Sequence, residues 1–227
     1  TSNPSPSYIA RVATVFNNNG SGVRGDLKAV VKAILLDPEA RGNAKCSATY
    51  GKLREPAVFL THLFRALDST GGMWGIPQVS RGLGQNVFSP PDVFNFYQPD
   101  FRIVADGQTI FAPPAQILTT STIIQRENFL NNFLNGQVQA GGDPNPVGSD
   151  TTTVVISPTL LTSLDALAPN PAQLVDALNQ RLMHGTLSPT ARQSVIDAVT
   201  SVGNNNRERV RTAIFIIASS MQYQVQR

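Results

Sequence analysis

Several residue types are scarce in this sequence, and each shortage closes off a class of protein. Cys46 is the only cysteine in 227 residues, so neither an internal disulfide nor a paired-thiolate metal site is available. His62 and His184 are the only histidines. With one distant thiol they fall short of the three or four nitrogen or sulfur ligands that zinc takes, and no cofactor is implied. Charged residues are 15% of the chain, against roughly 25% in an average soluble domain. Asn, Gln, Ser and Thr take their place, a polar but weakly charged surface of the kind that leans towards a secreted or envelope location. The net charge of +3 is too small and too scattered for a nucleic-acid face. The densest basic run, Arg207, Arg209 and Arg211, is interleaved with Glu208 and reads as a solvated helix start. No run of about 18 apolar residues occurs, so no membrane span is expected. Nucleophile elbow, phosphate loop and dinucleotide fingerprint are all missing.

Apolar residues, at 41%, are plentiful enough for a sizeable core. Their spacing is helical rather than alternating. Tyr8, Ile9, Val12, Val15 and Phe16 form one stripe after a turn at Asn3–Ser7, and Asn17-Asn18-Asn19-Gly20 stops it. Asp26 is placed to cap a second helix carrying Leu27, Val30, Val31, Ile34 and Leu35, which Asp37-Pro38 interrupts. Pro56 opens a third, with Val58, Phe59, Leu63, Phe64 and Leu67 on its inner face. Residues 69–84, rich in glycine and holding Trp74, read as an irregular loop. From Pro114 to Leu134 the stripe of Ile117, Leu118, Ile123, Ile124, Phe129, Leu130 and Phe133 predicts a long helix or a broken pair. Thr151–Ile156 is β-branched and suits one short strand. Three helices follow, near Pro171–Met183, from Ser188-Pro189, and from about Asn206. The expectation is a mainly α fold, an irregular helical bundle with long loops and at most one or two short strands. It divides as a helical subdomain over 1–135 with an aromatic, proline-rich loop, a linker or surface loop over 136–150, and a C-terminal helical subdomain over 151–227.

Six runs resemble a bacterial family catalogued as domain of unknown function 1800: TSNPSPSYIARV (1–12), NGSGVRGDLKAVVKAILLDPEAR (19–41), GKLREP (51–56), Leu83-Gly84-Gln85, PPDVFNFY (90–97) and QYQVQR (222–227). The resemblance implies the carboxy-terminal half of a protein about twice this length, exported, and often encoded beside a sulfatase-like family. The opening at Thr1, without a start methionine, reads in the same way as a fragment. The expected partner is then the missing amino-terminal half or another protein chain, and helix one should leave an apolar patch exposed. The family carries no established catalytic residues to transfer. The stretch Gly42–Tyr50 with Cys46 departs from its usual length, which argues against Cys46 in a shared activity.

The candidate ligand-binding residues are Lys52, Arg54, Glu55, His62, Asp92, Phe94 and Tyr97. Lys52 and Arg54 before a helix suit an anionic ligand, but an ion-pair knot joining helices two and three is the favoured reading. The aromatic run Phe88–Phe101 suits a sugar platform oriented by Asp92 and Asn95, or else a wedge in the core around a short helix capped by Asp92. The core is favoured, with one ring exposed. Arg24-Gly25-Asp26 spells an integrin-binding tripeptide, yet a turn at Gly25 and a cap at Asp26 explain it better. A His62–Cys46 nucleophilic pair and a calcium loop around Asp143, Asn145 and Asp150 rank below their structural explanations. The leading expectation is a structural or interaction module that binds a partner protein or an envelope polymer. The alternative is a hydrolase-like enzyme on polysaccharide or a sulfate ester, with its site shared with the missing half.

Overall fold

The computed structural model describes residues 3–42, 51–71, 76–105, 107–138 and 153–226. Cys46, Trp74, Asp143, Asn145 and Asp150 lie outside them. The fold is mainly α. Its helices are α1 (Pro6–Asn17), α2 (Leu27–Leu36), α3 (Pro38–Arg41), α4 (Pro56–Ala66), α5 (Ile76–Gly82), α6 (Thr120–Leu134), α7 (Pro158–Leu167), α8 (Pro171–Met183), α9 (Pro189–Ser201), α10 (Asn206–Ser219) and α11 (Met221–Gln224). The strands are β1 (Lys52–Leu53), β2 (Arg102–Ala105), β3 (Gln108–Phe111) and β4 (Val225–Gln226). They pair antiparallel as β1 with β4 and β2 with β3.

The punctuation acts as its chemistry dictates. Side chains of Ser5, Asp26, Asp37, Asn170, Ser188 and Asn205 cap the helices that follow them, each accepting a first-turn amide. Pro114–Leu134 is indeed broken, a 3-10 turn at Pro113–Ile117 leading into α6. In the Arg24-Gly25-Asp26 tripeptide Gly25 has φ of 78° and Asp26 caps α2, so the sequence serves the turn. Sequence reading passed over the short α5 and over α7, which buries Leu160 and Leu164. Of the strand proposed at Thr151–Ile156, residues 153–156 are described, and Val155 there bridges Thr70. Gly71 lies beside it, where an added Cβ would stand 2.1 Å from the Thr153 carbonyl oxygen.

One core joins α4, α6, α7, α8, α9 and α10. Phe59, Leu60, Leu63 and Phe64 from α4 meet Phe129, Leu130 and Phe133 from α6, Leu174, Leu178 and Leu182 from α8, and Val210, Ile214 and Ile217 from α10. Its aromatic seam runs Tyr223–Phe59–Phe129–Phe64–Phe133 through edge-on contacts at 5.3–6.3 Å. Val58, Ile123 and Ile124 were expected inside and are exposed.

Residues 3–42 form a separate hairpin, and none of them joins this core. Tyr8 donates to the Ile34 carbonyl at 2.9 Å, and Arg11 grips Asp37 through two bonds of 2.7 and 2.8 Å. Asn3 exchanges two hydrogen bonds with the Phe111 backbone of β3. The expected burial of the α2 stripe is overturned. Leu27, Val31 and Leu35 are 68%, 53% and 58% exposed, and Ile34 is exposed with them. The physical reason is that a two-helix hairpin offers one inner side, which Ala29, Val30 and Ala33 occupy. Ile9 and Phe16 of α1 are also exposed, so the expected apolar patch is present.

Burial sets the mutational response. Leu60→Ala, in the core, should cost about 2–5 kcal/mol, whereas Leu35→Ala should stay within about 0.5 kcal/mol of the parent. Urea unfolding midpoints of the two variants check this contrast.

Candidate functional site

The C-terminal run doubles back onto the start of α4. Lys52 pairs with Gln226 and Leu53 with Val225, and the Arg54 amide donates to the Gln224 carbonyl at 2.8 Å. This register brings α11 against α4 and sets Tyr223 beside Arg54 and His62. The Arg54 guanidinium lies over the Tyr223 ring, 4.4 Å from its centroid. The Tyr223 hydroxyl is 2.9 Å from His62 Nδ1, and Arg54 Nη1 approaches the same nitrogen at 3.4 Å. Arginine has only donors, so Nδ1 is the acceptor and the proton of the neutral ring sits on Nε2. The His62 and His184 rings meet edge-on at 5.9 Å.

Burial, then the charge of Arg54 and then His184 push His62 down from 6.5 to about 4, so it is neutral at physiological pH. Burial pushes the Tyr223 hydroxyl well up, which keeps it a donor. Burial also lowers Arg54, without a carboxylate to offset it. Arg126 of α6 lies behind, giving Nη1 to Gln224 at 2.5 Å and Nη2 to the Arg54 carbonyl at 3.1 Å, with its charge over the Phe59 ring. Burial brings it down to about 10, so it remains protonated.

Glu55 belongs to a neighbouring cluster. It takes an ion pair from Lys52 at 3.1 Å and hydrogen bonds from Gln85 at 2.7 Å and the Tyr97 hydroxyl at 3.0 Å. Burial would raise its carboxyl, but these three donors outweigh it and hold the group below its usual range. The same bond, after burial, pushes Tyr97 up to about 12. Gln85 also accepts the Ala57 amide at 2.9 Å, capping α4 from another element where Glu55 supplies no cap.

The structure therefore gathers five of the seven candidates in two adjoining clusters, Arg54 with His62, and Lys52 with Glu55 and Tyr97. Asp92 and Phe94 stand apart. Asp92 accepts the Phe94 amide in a tight exposed turn, and the short helix expected there is absent. The aromatic run is not core: Phe88 is 99% exposed and Phe94 is also exposed. The ion-pair knot between helices two and three is replaced by the local Lys52–Glu55 contact, and among the described residues Arg54 takes no carboxylate.

A cleft of about 290 Å³ opens beside this centre, lined by Arg54, Met183, His184, Thr186, Ser188, Gln222 and Val225. Sequence reading did not single out Tyr223, Gln85, Ser188 or Arg126. The recoverable signal was that three of the runs carrying the family resemblance, 51–56, 83–85 and 222–227, are polar stretches flanking helices, and these meet here. Among the described residues no group of three metal-ligating side chains comes together.

Fold and site together define a mainly helical protein with a buried cationic centre beside a small open cleft. The chain belongs to the family described as protein of unknown function DUF1800, which it matches over residues 1–225. No curated protein and no solved structure matches it.

The depressed His62 carries a pH signature. Its native form resists a proton that the unfolded chain accepts near 6.5, so its stabilising contribution is complete above that pH. The contribution then declines as pH falls towards about 4. Chemical denaturation between these limits should show parent stability falling more steeply with acid than that of His62→Gln.

Proposed function

We propose that this chain is an interaction module of an exported bacterial protein, and that it docks a partner polypeptide through the α1–α2 hairpin. The observation that carries the reading is the exposed stripe Leu27, Val31, Ile34 and Leu35, set on a helix whose other side is already spent on α1. A contiguous apolar surface of this kind marks an interface in a folded protein. Lys28 and Lys32 run beside the stripe and Arg24 stands before it, all exposed. An amphipathic helix with an apolar face edged by carboxylates is the complementary occupant. The weakly charged composition supports export.

A second reading, contact with an envelope polysaccharide, is favoured by one observation, the exposed rings of Phe88 and Phe94 on the 86–101 loop. A hydrolase is less well supported. His62 spends its acceptor nitrogen on Tyr223, and Ser188 Oγ holds the Ala191 amide of the α9 cap and the Gln222 side chain.

A photo-crosslinking residue at Val31 or Leu35, introduced into the protein in its producing cell, should yield a discrete polypeptide adduct, and one at exposed Thr200 should not. Binding of the identified, purified partner should weaken by about tenfold or more in Val31→Asp/Leu35→Asp, with the unfolding midpoint unchanged. Adducts to lipid alone, no adduct, or unaltered binding by the double variant would sink the reading.

A further inference from the structure

We infer that the cleft beside Arg54 is a binding site for a compact oxyanion group, a phosphate, sulfate or carboxylate presented by a ligand. Arg54 is only 7% exposed, yet it lines the cleft. Among the described residues no carboxylate lies within ion-pair distance of it. The sequence neighbour best placed to neutralise it, Glu55, is turned to Lys52, Gln85 and Tyr97. The second buried cation, Arg126, binds the Arg54 carbonyl from behind, and its Nε lacks a partner among the described residues. Neither guanidinium has an ion pair among the described residues, although half-buried Glu127 attracts Arg126 at longer range, so Arg54 keeps a positive field in the cleft for which an anion is the natural complement.

The lining fits that complement. Among the described residues that line the cleft there is no Asp or Glu. Gln222 donates to Ser188 Oγ at 2.8 Å and the Ala191 amide donates to it at 3.3 Å, so both of its lone pairs are taken and its proton is left to give. His184 lines the same cleft, and its exposed ring can supply a further N–H. Donors from β1–α4, α8 and the α9 start thus face one small volume. The planar fork of Arg54 is pre-set by the Tyr223 face, so a bound oxyanion meets an ordered donor. The site uses none of the α2 stripe, and its fate is independent of hairpin docking.

His62 and His184 are the chain's only imidazoles, so their two ring signals report binding by nuclear magnetic resonance. The full chain is titrated with inorganic phosphate, sodium sulfate and sodium acetate at ionic strength held constant with chloride. At least one oxyanion should move the His184 signal along a saturable curve, and should raise the melting temperature in step. Preference for phosphate or sulfate would identify an ester oxyanion as the natural group, and preference for acetate a carboxylate. Arg54→Lys, which keeps the charge but loses the fork, should weaken the affinity by about tenfold. His184→Asn, at an exposed left-handed position that asparagine tolerates, should weaken it severalfold and keeps the test alive if the Arg54 variant fails to fold. Shifts that never saturate or equal those of chloride, or saturation unchanged in both variants, would overturn the site.

Discussion

Two like charges buried without an ion pair among the described residues are the constraint around which this fold is arranged. A lone guanidinium in a protein interior is costly unless its hydrogen bonds and surroundings compensate it. Here the compensation comes from polar and π groups. Arg54 lies on Tyr223, Arg126 lies over Phe59, and Gln224 and a backbone carbonyl take the two Nη groups of Arg126. Both Tyr223 and Gln224 arrive only because the last strand pairs with β1. The termination of α10 at Ser219 and the short turn of α11 thus serve a placement problem. They turn the chain so that an aromatic face and an amide reach the two cations.

The protein has two surfaces of opposite character as a result. The main body has a continuous apolar core and concentrates its unusual chemistry in one polar centre. The hairpin of residues 3–42 has little interior, because α1 and α2 shield one side of each other and leave long aliphatic side chains in water. Its internal order rests on polar contacts, with Arg11 on Asp37, Ser5 on Glu39 and Asn19 on Asp26. These hold the Asp37 and Glu39 carboxyls below their usual range, mainly through the Arg11 and Ser5 hydrogen bonds. A hairpin stitched by polar contacts with its greasy side outward draws little of its order from apolar burial.

Helix starts were the most legible feature of the sequence, since caps and first-turn prolines act through chemistry a few residues long. Asp26, Pro171, Ser188 and Asn205–Asn206 mark them correctly. Which side of a helix is buried was legible only where the helix is surrounded. Periodicity reports that α2 has an apolar face, but it carries no information on whether anything covers it. The site was half legible for a related reason. Arg54 and Glu55 were found from their local pattern before a helix, and His62 from the scarcity of histidine. Tyr223 and Gln85 reach them across |i−j| separations of 161 and 30, distances over which no local rule operates. The aromatic run misled because closely spaced rings look like core filler, whereas Phe88 and, in the turn at Asp92–Asn95, Phe94 are exposed and Phe96 and Tyr97 are half-buried.

The pairing of Gln226 with Lys52 also makes one two-residue ladder a keystone. Unzipping β4 from β1 would release the strand that clamps Arg54 and draw away the Gln224 amide and the Tyr223 ring, leaving both guanidinium groups stranded in an apolar interior. Opening of that short ladder is therefore coupled to the chemistry of the cleft, which takes Arg54 from one side of it and Gln222 and Val225 from the other.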